Sequence, residues 1–248
     1  MRLQGKVAVV TGGAQGIGRA IALGLGREGA SIVVADLQGD KAKSVAKEIQ
    51  GSGTESLAVE VDVASEMAVK RLAKETSDRF GRVDILVNDA GIYLKAPVVD
   101  ITEENWDRTI NVNLGGNFLC SRAFIPSMRK QKSGRIISIA SGIAHYGAKE
   151  FAPYAASKAA IIGFVKSLAR EVAPDGITVN AICPGAANTA MPRTHRSEEE
   201  LMERLRSNPL SHVLEPEDFV GPVVFLASDA ASYITGQSIN VNCGSYMS

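Results

Sequence analysis

Tyr154 and Lys158 stand four residues apart in the run Tyr154-Ala155-Ala156-Ser157-Lys158. On a helix that spacing puts the phenol and the ammonium on one face. An unperturbed tyrosine loses its proton near pH ~10 and a nearby cation favours the phenolate, so Lys158 would make Tyr154 a usable acid or base near neutrality. Taken alone, such a pair is more often a packed ring beside a solvated charge. Ser141 follows an apolar run over 135–140, which puts its hydroxyl at the carboxyl end of a strand. Open parallel sheets bind ligands at those ends, where a hydroxyl can orient a substrate carbonyl.

A second group lies near the start, in Thr11-Gly12-Gly13-Ala14-Gln15-Gly16-Ile17-Gly18. Glycines there permit a tight turn and let the backbone approach a pyrophosphate, while the free amides and dipole of the following helix favour anions. A lone glycine cluster also marks ordinary turns. Its context points further, since it joins a buried strand to a helix and Asp36 ends the next strand, where a carboxylate meets an adenosine ribose.

The elements that must position these residues alternate along the chain. Apolar runs over 6–11 and 31–36 read as buried strands, the second with β-branched residues on both faces. Between them 16–27 reads as a helix stopped at Gly29. Further strands are expected near 57–61, 84–88, 135–140, 177–182 and 238–241, each separated by helical pattern. The fold class that follows is α/β: a Rossmann-type, doubly wound, seven-stranded parallel sheet with helices on both faces. One long helix is expected over 105–129, with Thr102 as cap and Pro126 kinking its last turns, and another over 153–172, ended by Pro174-Asp175-Gly176. Within the weaker stretch 184–216, the charged segment 193–206 fits one or two short helices, serving either as a lid over the site or as a solvated excursion.

The 248 residues, 45% of them hydrophobic, suffice for one sizeable core, so a single domain over 1–248 is expected, with a variable substrate segment over 186–215. Lys and Arg (27) balance Asp and Glu (27), which leaves no global field to draw the chain to nucleic acid or an anionic membrane. The three cysteines, Cys120, Cys183 and Cys243, are scattered and no Cys or His pair has zinc-ligand spacing, so a reduced, cytoplasmic, metal-free protein is expected. No segment offers the long apolar run of a membrane span, and the N-terminus leads straight into a strand.

Together these motifs resemble the short-chain dehydrogenase/reductase family, over nearly the whole chain from Lys6 to Gly244. Thr11, Gly12, Gly16 and Gly18 match its glycine pattern, Asp62 and Val63 its adenine-side pair, and Asn88, Ala90 and Gly91 its Asn-x-Ala-Gly motif, with Asp89 where a second Asn is usual. The family's active-site Asn, Ser, Tyr and Lys map to Asn113, Ser141, Tyr154 and Lys158. Pro184, Gly185 and Thr189 match the segment beside nicotinamide, with Ala187 where a larger apolar residue is common, and Asn242-Cys243-Gly244 replaces the usual Asp-Gly-Gly.

The resemblance implies hydride transfer between a nicotinamide dinucleotide and the carbinol or carbonyl carbon of a substrate. Tyr154 would handle the proton, Ser141 would bond the substrate oxygen, Lys158 would hold the ribose and lower the tyrosine pKa, and Asn113 would place a relay water. Gln15, Ile17 and Leu37 join the implied cofactor contacts. Asp36 argues for NAD, because a carboxylate accepts ribose hydroxyls but repels a 2′-phosphate, and neither Leu37 nor Gln15 brings positive charge.

Family members that reduce 3-oxoacyl thioesters hold an acidic carrier with surface arginines, and Asp175 occupies one such place. A free secondary alcohol or ketone (a polyol, or an aryl or alicyclic carbinol) is therefore the favoured substrate, with the 3-oxoacyl thioester as the alternative. Tyr93, Leu94, His145, Tyr146, Phe151, Met191 and His195 are candidate pocket residues, although the histidines more often lie at the surface and Tyr146 can simply pack. A catalytically silent dinucleotide sensor would be expected to lose Tyr154 or Lys158, and both are present. Relatives are mostly tetramers, assembled through the two long helices.

Overall fold

Strands buried on both faces read as continuous runs of β-branched and aliphatic residues, and the seven strands of the computed structural model follow that rule. Residues 1–194 and 197–247 are described. The strands are β1 (Val7–Thr11), β2 (Ser31–Asp36), β3 (Ser56–Glu60), β4 (Ile85–Asn88), β5 (Gly134–Ile139), β6 (Ile177–Pro184) and β7 (Ser238–Val241). They form one sheet in the order β3-β2-β1-β4-β5-β6-β7, and every neighbouring pair is parallel. The chain winds outward from β1 to β3, then returns to set β4 beside β1. That reversal opens a crevice at the carboxyl ends of β1 and β4, where such sheets bind ligands.

Helices fill the connections: α1 (Gly16–Arg27), α2 (Gly39–Gly51), α3 (Glu66–Phe80), α4 (Glu103–Ile110), α5 (Gly116–Gln131), α6 (Ile143–Tyr146), α7 (Ala152–Val172), α8 (Ala190–Arg193), α9 (Glu198–Arg206) and α10 (Val220–Ala227). Successive strand residues point to opposite faces, so the core divides in two. Val10, Val34, Val87 and Ile182 pack under α1, α2 and α10, against Ile21, Leu25, Val45 and Val223. Val9, Val33, Leu86 and Val179 pack under α3, α5 and α7, against Leu72, Phe124, Ile161 and Val165. Each such fully buried side chain contributes roughly 1.5–3 kcal/mol, and a slip of one residue in any strand would exchange the two faces.

The strands expected over 31–36 and 238–241 and the helix over 16–27 have the expected bounds, and the remaining strands differ by one or two residues. The long helix expected over 105–129 is not continuous. Thr102 caps α4 as expected, its hydroxyl accepting the Asn105 N–H at 3.2 Å, but a π-helical turn over Asn111–Gly115 separates α4 from α5. Pro126 lies inside α5. The π turn is the larger departure from regularity, and it brackets Asn113.

The segment 186–215 holds α8 and α9. A capping box formed by Ser197 and Glu200 starts α9, and Leu201 and Leu205 are buried beneath it. A parallel bridge between Ala187 and Leu214 closes the segment at its base. Among the described residues no helix is long and apolar enough to cross a membrane.

Candidate functional site

A cleft of about 650 Å³ runs across the carboxyl ends of the strands. At its centre the two sides of the crevice nearly touch: a Cβ on Gly12 would lie 2.8 Å from the Ala90 backbone N. Gly12 (φ +69°) and Gly16 (φ +54°) also hold left-handed backbone, which favours glycine. Gln15 precedes α1 in extended conformation and its side chain does not cap the helix. The Gly16 and Ile17 amides that open α1 are thus available to an anion, with the helix dipole behind them. Gly12, Gln15, Gly16 and Ile17 line the cleft. Gly18 does not reach the lining; it packs directly against the Gly12 carbonyl, where a side chain would collide.

At one end β2 delivers Asp36, 8% exposed, to the wall. Its carboxylate accepts the Ala14 N–H at 3.0 Å and the Gln38 N–H at 2.9 Å, so it ties the glycine turn to the β2–α2 turn and still has lone pairs to offer a ligand. Leu37, Asp62 and Val63 complete this end, with Val63 packed so closely on α5 that a Cβ on Gly116 would sit 2.7 Å from it. Gln15 brings no charge itself, but Lys41 of α2 reaches it, Nζ to Oε1 at 3.4 Å. The sequence reading did not foresee a cation here.

At the other end Ser141, Tyr154 and Lys158 share the wall. Tyr154 lies edge-on to Tyr93, ring centroids 5.4 Å apart, and Lys158 Nζ sits 5.7 Å from the Tyr154 ring centre while donating to the Ile139 carbonyl at 2.6 Å. Burial pushes the Tyr154 phenol above its ordinary value; the hydrogen bond with Ser141 draws it down, and Asp89, Tyr93 and Tyr146 add to the rise. Burial also lowers the Lys158 ammonium to about 8, against the opposing charge of Asp89. This differs from the expectation that the lysine brings the tyrosine near neutrality. Desolvation costs both charged forms and is the largest influence on each. The phenol is therefore protonated near neutrality.

Asn113 is buried behind this wall, and both N–H groups of its amide are engaged. Its Nδ2 donates to the Ile92 carbonyl and to the Ser157 hydroxyl, both at 3.0 Å, and its Oδ1 accepts the Ile92 N–H at 2.8 Å. The π turn delivers this side chain inward from between α4 and α5. Asn88 is likewise buried away from the lining, bonded to Asn117 and Ser121 at 3.3 Å each. Among the described residues its Oδ1 has no hydrogen-bond partner.

Across the cleft, Pro184, Gly185, Ala187 and Thr189 form the wall beyond β6, and Met191, Pro192 and Arg204 from α8 and α9 roof it. The pocket candidates divide. Tyr93, Tyr146 and Met191 line the cleft; Leu94, His145 and Phe151 do not. Phe151 is buried behind Tyr93, ring centroids 4.8 Å apart, and His145 stacks on Tyr246 at 4.9 Å. His195 lies outside the described residues.

Comparison with known proteins gives the same picture. The family model described as enoyl-(acyl carrier protein) reductase matches residues 12–246. The chain belongs to the short-chain dehydrogenase/reductase family. The 3-oxoacyl-[acyl-carrier-protein] reductase FabG of Thermotoga maritima is 39% identical over 245 residues, covering 98% of this chain and 99% of that one. That of Staphylococcus epidermidis is 43% identical over 244 residues, with 98% and 99% covered. Among solved structures, a putative NAD(P) dependent gluconate 5-dehydrogenase from Beutenbergia cavernae, with bound NADP at low occupancy, superposes with a TM-score of 0.92 at 42% identity, covering 97% of this chain and 96% of that one.

As a short-chain dehydrogenase/reductase the protein is an oxidoreductase acting on CH–OH and carbonyl groups with a nicotinamide dinucleotide. The cleft fits that group, since the uncapped start of α1 and the side-chain-free cradle of Gly12 and Gly16 suit a pyrophosphate and lie between Asp36 and Tyr154. Among the lining residues that sequence reasoning missed are Asp89, Val112 and Arg204. Asp89 stood out only as a departure from the family motif, Val112 carried no signal apart from its neighbour Asn113, and Arg204 was hidden in a charged stretch.

Proposed function

We propose that this protein oxidises a free small secondary alcohol with NAD, and reduces the matching ketone, using Tyr154 as the acid and base. The observation that carries the reading is Ser141, Tyr154 and Lys158 sharing one wall of a cleft whose other end is Asp36. When bound, the nicotinamide supplies the hydride acceptor or donor. The chain's own residues do the rest. Ser141 donates to the substrate oxygen and fixes it beside the phenol, Tyr154 gives or takes the proton at that oxygen, and the Lys158 ammonium holds ribose hydroxyls and favours the phenolate. Asn113 acts from behind, anchoring the backbone at Ile92 and the Ser157 hydroxyl on α7.

NAD is favoured because the Asp36 carboxylate accepts hydrogen bonds from ribose hydroxyls and repels a 2′-phosphate. Lys41, reaching Gln15 at the same end, supports a second reading in which NADP is also used, and the bound NADP of the gluconate 5-dehydrogenase relative is in line with it.

For the substrate, both Asp175 oxygens are paired, with Arg129 Nε and Lys132 Nζ at 2.8 Å each. Those cations are thereby neutralised where a carrier-reducing relative would hold an acidic protein, which supports a free alcohol. The names of the FabG relatives favour the alternative, a 3-oxoacyl thioester. A homotetramer is proposed through α5 and α7, where Phe118 (43% exposed) meets Phe164 edge-on at 6.5 Å. Polyols, aryl and alicyclic carbinols and 3-hydroxyacyl thioesters, each followed by NADH absorbance, test the substrate. Oxidation of the thioesters alone would reverse the preference.

A further inference from the structure

We propose that Asp89 is a positioning residue of the dinucleotide site whose carboxyl is protonated when the dinucleotide is bound, so that binding takes up a proton at this side chain. This rests on the dinucleotide reading of the cleft. Asp89 ends the β4 side of the crevice. Its N–H donates to Thr11 Oγ1 at 3.2 Å, its side chain lines the cleft, and its Oδ2 lies 2.6 Å from where a Cβ on Gly18 would sit. The carboxyl is therefore pressed against the first turn of α1, under the glycine turn that would receive the pyrophosphate. An ionised carboxylate at that place draws on the Gly18 amide and sets like charge beside an anionic ligand. The neutral acid, like the asparagine more usual here, still accepts from that amide through its carbonyl oxygen but brings no like charge.

The charges facing Asp89 come from three elements. Lys158 of α7 and the Gly18 amide of α1 favour its ionised form, and Asp36 of β2 opposes it, while burial, the largest influence, raises the carboxyl to about 7. Tyr154 of α7 faces it as well and is itself pushed up by it. Asp89 is thus about half protonated near neutrality, and the negative charge of a pyrophosphate beside it favours the proton further. If only the protonated form binds, about one part in eleven is competent at pH 8, and the apparent Kd for NAD is roughly tenfold weaker there than at pH 6. Lys158 loses its proton in the same range, so the Kd profile needs a readout specific to a carboxyl.

Infrared difference spectra of the wild-type protein at pH 8, with and without NAD, supply it. The expected result is a gain in the carbonyl stretch of a protonated carboxylic acid, absent in Asp89→Asn, together with tighter NAD binding by that variant at pH 8, by roughly tenfold. No acid band in the wild type, or the same band in both proteins, would overturn the assignment while leaving NAD binding itself intact. Calorimetric titration that finds binding of neither NAD nor NADP at pH 6 or pH 8 would instead overturn the dinucleotide reading, and this proposal with it.

Discussion

Replacing Asp36 by alanine separates what the carboxylate does for the fold from what it does for the ligand. It accepts two backbone N–H groups, from Ala14 at 3.0 Å and from Gln38 at 2.9 Å. Hydrogen bonds to a charged group contribute about 1.5–3 kcal/mol each, but the Gln38 amide is at the surface and regains water. A loss of about 1–3 kcal/mol is expected, or on the order of 2–10 °C in Tm for a chain of this size. Affinity for NAD should fall separately, because each ribose bond to the carboxylate is of the same kind: roughly tenfold to a hundredfold. Affinity for NADP should move the other way, since the repulsion of the 2′-phosphate goes and Lys41 stays within reach of Gln15. Calorimetric titration of both proteins with both dinucleotides makes the comparison. Equal losses for NAD and NADP, or no change in either, would place the ribose elsewhere and refute the reasoning.

Tyr154→Phe should keep the fold and bind NAD normally while losing on the order of 10²–10⁴ in turnover, measured by NADH absorbance, because the ring still packs and only the proton-transfer group is gone. Lys158→Met should weaken NAD binding as well as turnover; an unchanged Kd would contradict its contact with the ribose. Lys158 also makes a stability prediction. Its folded pKa is lowered from 10.5 to about 8, so between those values the unfolded chain holds a proton that the native state has released. The wild type should therefore gain stability relative to Lys158→Met as pH rises from about 8 to about 10, read as the difference in their urea midpoints. A constant difference would refute the shift.

The parts of this fold that were legible in sequence are those where a single element carries the signal. Ser31–Asp36 has β-branched residues pointing both ways, which only a strand covered on both faces demands, and the glycine turn, Asp36, Ser141, Tyr154 and Lys158 all lie on the cleft wall as their spacing implies. Contacts made across elements were not legible. The apolar spacing through 105–129 continues past the π turn, because widening one turn shifts the buried face without breaking the run of apolar residues. Leu94 and Phe151 were placed by their closeness to strand ends, yet which loop side chains face the cleft depends on how the loop folds back, and Phe151 folds behind Tyr93. Lys41 meets Gln15 only because α2 starts beside the glycine turn. The Asp175 pairs draw on Arg129 and Lys132, at the distant end of α5.

The π turn at Asn111–Gly115 also sets a limit on what the chain can lose. A helix advances about 100° per residue, so a widened turn works as a phase shift between two gears on one shaft. It lets α4 keep its own seat while α5 presents Phe124 and Met128 to the sheet, and it aims Asn113 inward between them. Deleting one residue from this turn would not simply shorten a helix. It would rotate everything on one side by more than a quarter turn, so that either the core face of α5 or the inward aim of Asn113 could be kept, but not both. The residue count of this stretch is therefore fixed.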